Sequence, residues 1–262
     1  MRFTFTSMTY NLWQGWRIDD RLPALDELMR LRSPDLLATQ ELHPSSRKAI
    51  DAALPGHARV QDDAPGWAVC SNIWWDRTLF DLVEYGAEDV GILAEHAALF
   101  WVRLRPVGVE GAPPILYSSA HLTWPGHPTE VADDRSPRVA QARAIAAALQ
   151  RLGGNGPTIL CTDINDYARP LWALYDEGFR EPFGSLGRTA PVTHPVFPLP
   201  LAKADRSWPG VQMTQKTLDW QFFRGPLHPR SGEVVEYFRD GVAPSDHKPV
   251  VCTFTLDEGG QR

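Results

Sequence analysis

From residue 3 the chain alternates, Phe3-Thr4-Phe5-Thr6, then turns apolar as far as Leu12-Trp13, which predicts a strand over residues 2–13. Asp19-Asp20 opens a helix whose Leu22, Leu25, Leu28, Met29 and Leu31 share one face; Pro23 falls in its first turn and Ser33-Pro34 ends it. Residues 35–42 form a second buried strand that closes on an acid, and a short helix over residues 45–54 follows. Further β segments are expected over 57–61, 67–75, 79–85 and 97–105, then over 114–122, a run that carries His121 at its end. The clearest helix spans 133–152, where Val139, Ala142, Ile145, Ala146, Leu149 and Leu152 make an apolar stripe and Gly153-Gly154 stops it. That stripe is core.

The next strand, Thr158 to Thr162, stops abruptly at Asp163, Asn165 and Asp166. In an α/β protein the carboxyl ends of strands are where ligands are met. Positions i and i+2 of an extended segment point the same way, so Asp163 and Asn165 can share a pocket. A short helix over 170–177, a Pro- and Gly-rich loop over 184–216, and strands over 217–223, 233–238 and 249–256 complete the chain. A loop of that length inside a compact domain points to function or mobility.

Composition narrows the class. At 262 residues, 43% hydrophobic and 22% charged, the chain can bury a large core as one or two domains. A net charge of -6 argues against a broad basic face for long duplex DNA, whose grip comes from phosphate neutralisation. The three cysteines lie singly in apolar or strand-like runs, which reads as core thiols in a reducing compartment. No run reaches membrane-spanning length and the first residues form a strand pattern, so a cytoplasmic location is expected.

Polar residues recur at strand ends: Asn11, Glu41, His121, Asp163 with Asn165, Asp219 between Leu218 and Trp220, and Asp246-His247 before the last strand. Taken singly, Asn11 suits a turn and each histidine suits a structural role. If the acids converge, each pair about 4 Å apart repels by about 4 kcal/mol at an effective dielectric near 20. A divalent cation and histidine partners would offset that, and oxygen ligands favour Mg2+ or Mn2+ over Zn2+. Such a cation keeps waters and seeks phosphate oxygens, which makes a phosphoester the natural substrate.

Thr9-Tyr10-Asn11-Leu12-Trp13, Thr39-Gln40-Glu41, Ser119-Ala120-His121-Leu122, Thr162-Asp163-Ile164-Asn165, Thr217-Leu218-Asp219-Trp220 and Ser245-Asp246-His247-Lys248-Pro249-Val250 resemble the ordered motifs of the endonuclease/exonuclease/phosphatase superfamily. The resemblance runs almost the whole length. It implies one catalytic domain over 1–258 with a short polar tail at 259–262, folded as a four-layer α/β/β/α sandwich of two mixed sheets face to face. It implies Mg2+, with Mn2+ as a substitute, held by Glu41 with Asn11 and Asp246 in support. Asp163 and Asn165 would position and deprotonate the attacking water, and Asp219 would orient His247. His247 and His121 would meet the scissile phosphate, with His247 as base or as electrostatic clamp. Thr162 and Ile164 depart mildly from the family's usual Gly and its aromatic or Leu.

His121-Leu122 is similar to the deadenylase, sphingomyelinase and tyrosyl-DNA phosphodiesterase branches more than to exonuclease III. The first expectation is therefore a phosphodiesterase or nuclease acting on a nucleic acid end or short single strand, with Trp124, Arg206 and Trp208 as substrate contacts. A phospholipid or inositol-phosphate phosphoesterase of the same fold is the second, and a binding module that has lost catalysis is the third.

Overall fold

The computed structural model describes residues 3–197 and 215–257. The first half of one sheet comes from β1 (Phe3–Asn11), β2 (Leu36–Gln40), β3 (His57–Arg59) and β4 (Ile73–Asp76). The chain then builds a second sheet in sequence, from β5 (Phe80–Glu88), β6 (Leu99–Pro106), β7 (Ile115–His121), β8 (Thr158–Asp163) and β9 (Asp219–Arg224). It returns to the first with β10 (Leu227–Val234) and β11 (Val250–Leu256), giving the orders β10-β11-β1-β2-β4-β3 and β5-β6-β7-β8-β9. Both sheets are mixed, and each holds one parallel pair: β1 with β2, and β7 with β8. Parallel strands end on the same side, so Asn11 and Gln40 are level with each other, as are His121 and Asp163.

Seven helices, α1 (Ile18–Arg32), α2 (Pro44–Ala53), α3 (Pro65–Val69), α4 (Pro128–Asp133), α5 (Arg138–Gly153), α6 (Arg169–Asp176) and α7 (Pro182–Ser185), are found among the described residues. Three buried layers separate the four structural ones. Leu25, Leu28 and Met29 of α1 and Ile50 of α2 cover one sheet through Met8, Leu37 and Trp74. Phe5, Phe254, Val102, Tyr117 and Ile159 fill the space between the sheets. Ala142, Ile145 and Leu149 of α5, with Leu171 and Leu174 of α6, cover the other sheet through Leu116, Leu160 and Phe222. Each such Leu or Phe contributes about 1.5–3 kcal/mol by leaving water. The result is the α/β/β/α sandwich.

The intersheet layer turns polar toward the strand ends. Ser7 Oγ reaches Tyr117 Oη at 2.9 Å and donates to Gln221 Oε1 at 2.7 Å, and Gln40 Nε2 donates to Ser119 Oγ at 2.9 Å. Buried polar groups that satisfy one another fix the sheets in one register, because any sliding would leave them unpaired.

Three expectations are corrected. The apolar run 67–75 is not one strand: Pro65 starts α3, which ends at Val69, and β4 begins at Ile73. The strand expected over 233–238 lies earlier, at Leu227–Val234, where an edge position and a register shift between Pro229 and Ser231 accommodate the proline. The helix expected from 133 starts later: α4 ends at Asp133, its cap residue Asp134 is left-handed with φ at 50°, and α5 starts at Arg138. Most of the 184–216 loop, with Arg206 and Trp208, and the 259–262 tail lie outside the described residues.

Candidate active site

The carboxyl ends of the two parallel pairs meet over one cavity of about 1080 Å3, whose wall includes Glu41, His121, Asp163, Asn165, Asp246 and His247. Six polar groups from four segments far apart in sequence are thus brought together. Asp163 is the centre. Its Oδ1 accepts the Asn165 backbone N–H at 2.9 Å and its Oδ2 accepts Asn11 Nδ2 at 2.9 Å. The same Oδ2 lies 3.6 Å from His121 Nε2 and 3.8 Å from His247 Nε2. Burial pushes the Asp163 carboxyl up, but His247, His121, the Asn165 N–H and the Asn11 amide outweigh it and hold it below the ordinary range. Asp163 is therefore ionised through neutral pH.

Asn11 joins the sheets. Its Oδ1 is taken by the Trp13 N–H at 3.0 Å, which fixes the amide, and its Nδ2 also donates to Glu41 Oε1 at 3.0 Å. Its amide thus holds the Glu41 carboxylate and the end of β1 in one arrangement. Glu41 sits just beyond β2 with φ at 50°, a left-handed conformation that turns its side chain into the cavity, and its Oε1 is 3.7 Å from His121 Nε2. Asn165 repeats the device beyond β8 with φ at 49°. Its Nδ2 donates to the Leu122 carbonyl at 2.9 Å and meets His121 Nε2 at 2.8 Å, fixing that ring.

Asp219, at the start of β9, is paired in register with Asp163 and meets His247 Nδ1 at 2.8 Å through Oδ2. Its Oδ1 is buried with no hydrogen-bond partner among the described residues. Burial works against a charged His247, yet Asp219, Asp246 and Asp163 together raise the imidazole well above its ordinary value. The ring is an imidazolium at neutral pH. Burial and Asp163 push Asp219 up while His247 pulls it down, and the net direction is up. Ser245 Oγ donates to the Asn11 carbonyl at 2.8 Å and accepts the His247 N–H at 3.2 Å, which ties the Ser-Asp-His segment to the end of β1.

Sequence reasoning missed three residues here. His194 stacks on His247 with ring centroids 4.4 Å apart, and its Nε2 is 3.7 Å from Asp246 Oδ2. Thr193 Oγ1 accepts the N–H groups of Leu218 and Asp219. Arg21, 1% exposed, donates to the carbonyls of Leu12, Trp13, Gln14, Trp16 and Pro244, folding the loop after β1 around itself. An arginine in a helix with no acid at helical spacing was the only available signal for it. Among the expected substrate contacts, Trp124 lies in the cavity wall, 48% exposed, with its ring edge-on to His127.

The donor set suits a hard cation. Glu41, Asp163 and Asp246 open on one cavity, and its wall contains no Lys or Arg among the described residues to neutralise them. Ligand-type atoms of His194, Asp246 and His247, and likewise of Asp163, Asp219 and His247, lie within 4.8 Å of one another. Glu41 belongs to neither trio, although it shares their cavity. A hard cation would favour its carboxylate over the imidazoles, because such ions prefer oxygen.

Known structures share this architecture. TDP2 of D. rerio, complexed with single strand DNA product, is 16% identical and superposes with a TM-score of 0.75 over 96% of this chain and 98% of that one. An endonuclease/exonuclease/phosphatase family protein from Bacteroides thetaiotaomicron is 19% identical, with a TM-score of 0.72 over 98% and 99%. A mannosyl-6-phosphatase from Bacteroides thetaiotaomicron is 20% identical, with a TM-score of 0.71 over 95% and 99%. At such identities the likeness is one of fold. A comparison with curated proteins finds no match. The model of the Endonuclease/Exonuclease/phosphatase family matches residues 8–247, from the middle of β1 to the His247 imidazolium, so the chain belongs to that family and is a phosphoester hydrolase.

Proposed function

We propose that the protein is a Mg2+-dependent phosphodiesterase that cleaves a nucleic acid end or a short single strand by in-line attack of water. The observation that carries this reading is the convergence of Asp163, His121 and the Asp219–His247 pair beside Glu41. When bound by Glu41 and Asp246, Mg2+ would supply charge to the phosphoryl oxygens. Mn2+, with similar ligand preferences, would serve as a substitute.

The protein's own groups divide the remaining work. Ionised Asp163, fixed by Asn11 and the Asn165 N–H, orients water and takes its proton. His247 already carries its proton, so it acts as an electrostatic clamp that donates to a phosphoryl oxygen as charge builds there. Asp219 holds that ring in place through Nδ1. His121 meets the same phosphate from the opposite sheet pair. Trp124 offers an exposed ring face for a base, and the similar TDP2 structure holds a single strand DNA product.

The test is hydrolysis of bis-p-nitrophenyl phosphate and of a thymidine oligonucleotide with Mg2+, with Mn2+ and with a chelator. Turnover of both, lost in chelator, is expected. Turnover of sphingomyelin or inositol phosphates with none of the oligonucleotide would move the assignment to a lipid or inositol phosphoesterase. No turnover of any phosphoester under any divalent ion would leave a binding module.

A further inference from the structure

The catalytic cavity does not stop at Asn165. On the far side of Asn165 and Leu218, which line both spaces, is a second hollow of about 340 Å3 walled by Arg138, Tyr167, Arg169 and Lys216 with Asp166. Arg169 also lines a third, of about 550 Å3, between the first turns of α5 and the face of α6, with Arg135, Arg143 and Trp172. The hollows form a connected line of neighbours, the first and second sharing Asn165 and Leu218 and the second and third sharing Arg169.

Charge changes sign along that line. The first hollow is acidic and imidazole-lined, as described. In the second, Arg138 is already committed, to Glu130 and the Thr123 carbonyl with Asp166 Oδ2 3.5 Å from its Nε. Asp166 Oδ1 in turn accepts the Tyr167 and Ala168 N–H groups. That leaves Lys216 and Arg169, which make no ion pair among the described residues; Lys216 Nζ instead lies over the Tyr167 ring, 5.6 Å from its centroid. Arg135 and Arg143 in the third hollow likewise make no ion pair among the described residues, although Asp134 and Asp176 line the same hollow. Two large aromatic side chains accompany these cations, Tyr167 at 67% and Trp172 at 60% exposure. Both rings thus offer exposed faces in the same hollows as cations that make no ion pair among the described residues. Alternating cations and ring faces is the chemistry of sequence-tolerant single-strand binding, phosphates on the cations and bases on the rings.

We propose that this track carries an extended single strand away from the active site. The scissile phosphate sits in the acid–imidazole cavity, the next phosphate between Lys216 and Arg169, and a further one beside Arg135 and Arg143, with bases against Tyr167 and Trp172. This rests on the phosphodiesterase reading above and adds the side on which the flanking strand lies.

The test uses a thymidine hexamer and variants in which one internucleotide linkage is a neutral methylphosphonate, moved along the strand. For the parent protein, neutralising the linkage next to the cleaved one is expected to raise KM about tenfold on one side of the cut only. In Lys216→Glu, with a melting temperature matching the parent, that penalty should shrink to about twofold or less, and the salt dependence of KM should flatten by about 0.7 per lost phosphate contact. A penalty that survives in both Lys216→Glu and Arg169→Glu, or a dinucleotide or small bisphosphate cleaved as efficiently as the hexamer, would overturn the track. Hydrolysis of bis-p-nitrophenyl phosphate together with oligonucleotide cleavage that depends on neither strand length nor linkage charge sinks the track alone; silence toward every phosphoester sinks the phosphodiesterase reading with it.

Discussion

Asp163 and Asp219 face each other across the β8–β9 ladder, both 1% exposed, and the fold treats them in opposite ways. Asp163 is surrounded by groups that favour its charge: His247, His121, a backbone N–H and the Asn11 amide. Asp219 has one strong partner on Oδ2 and a buried Oδ1 with no hydrogen-bond partner among the described residues, and it stands behind His247 rather than in the cavity wall. Burial alone assigns neither role. In the proposed reaction one carboxylate would take a proton from water, and the other would keep a proton on a neighbouring ring.

Substitutions at the two positions should separate these roles. Asp163→Asn removes the proton acceptor and turns an amide N–H toward a neighbouring donor, so turnover should fall by about 10^4-fold or more with a lowered melting temperature in a protein that still unfolds cooperatively, as checked by steady-state kinetics and thermal unfolding. Asp219→Asn keeps the shape and removes the charge behind His247. Turnover should drop by about 10^3-fold, and the alkaline limb of the rate profile should move to lower pH because the imidazolium loses its largest support. If Asp219→Asn left that limb in place, the orienting role would be wrong. A smaller effect is expected from Asn11→Ala, which unties Glu41 and Asp163 together: about 10- to 100-fold in turnover, with more Mg2+ needed for half-maximal rate.

His247 also leaves a trace in stability. Its folded-state value is raised, so its contribution is fully present below about pH 6.5 and is lost as pH rises through the folded value. In chelator, the parent's melting temperature should fall from neutral to alkaline pH, and His247→Asn should show a shallower fall. Parallel curves for the two proteins would remove the imidazolium from the account.

Much of this was legible in the sequence because burial writes a pattern. The stripes of α1 and α5 and the apolar runs of β2, β7 and β8 marked the layers, and the abrupt polar ends of Glu41, His121 and Asp163 marked the site. What stayed hidden depended on contacts between distant segments. Trp67 is buried in helix or strand alike, so its hydrophobicity could not reveal α3. Pro229 reads as a strand breaker unless one knows that β10 is an edge. His194 gains its meaning only from a loop laced to Asp246, Lys216 and Lys248 by backbone hydrogen bonds, a placement no local spacing encodes.

The Asn11 side chain, which binds Glu41 from one sheet and Asp163 from the other, has a consequence for how activity and assembly are linked. Neither sheet owns the reaction. A shift of one layer against its neighbour would part the two carboxylates before it exposed the core, so chemistry in this molecule is a sensitive gauge of whether its halves are seated.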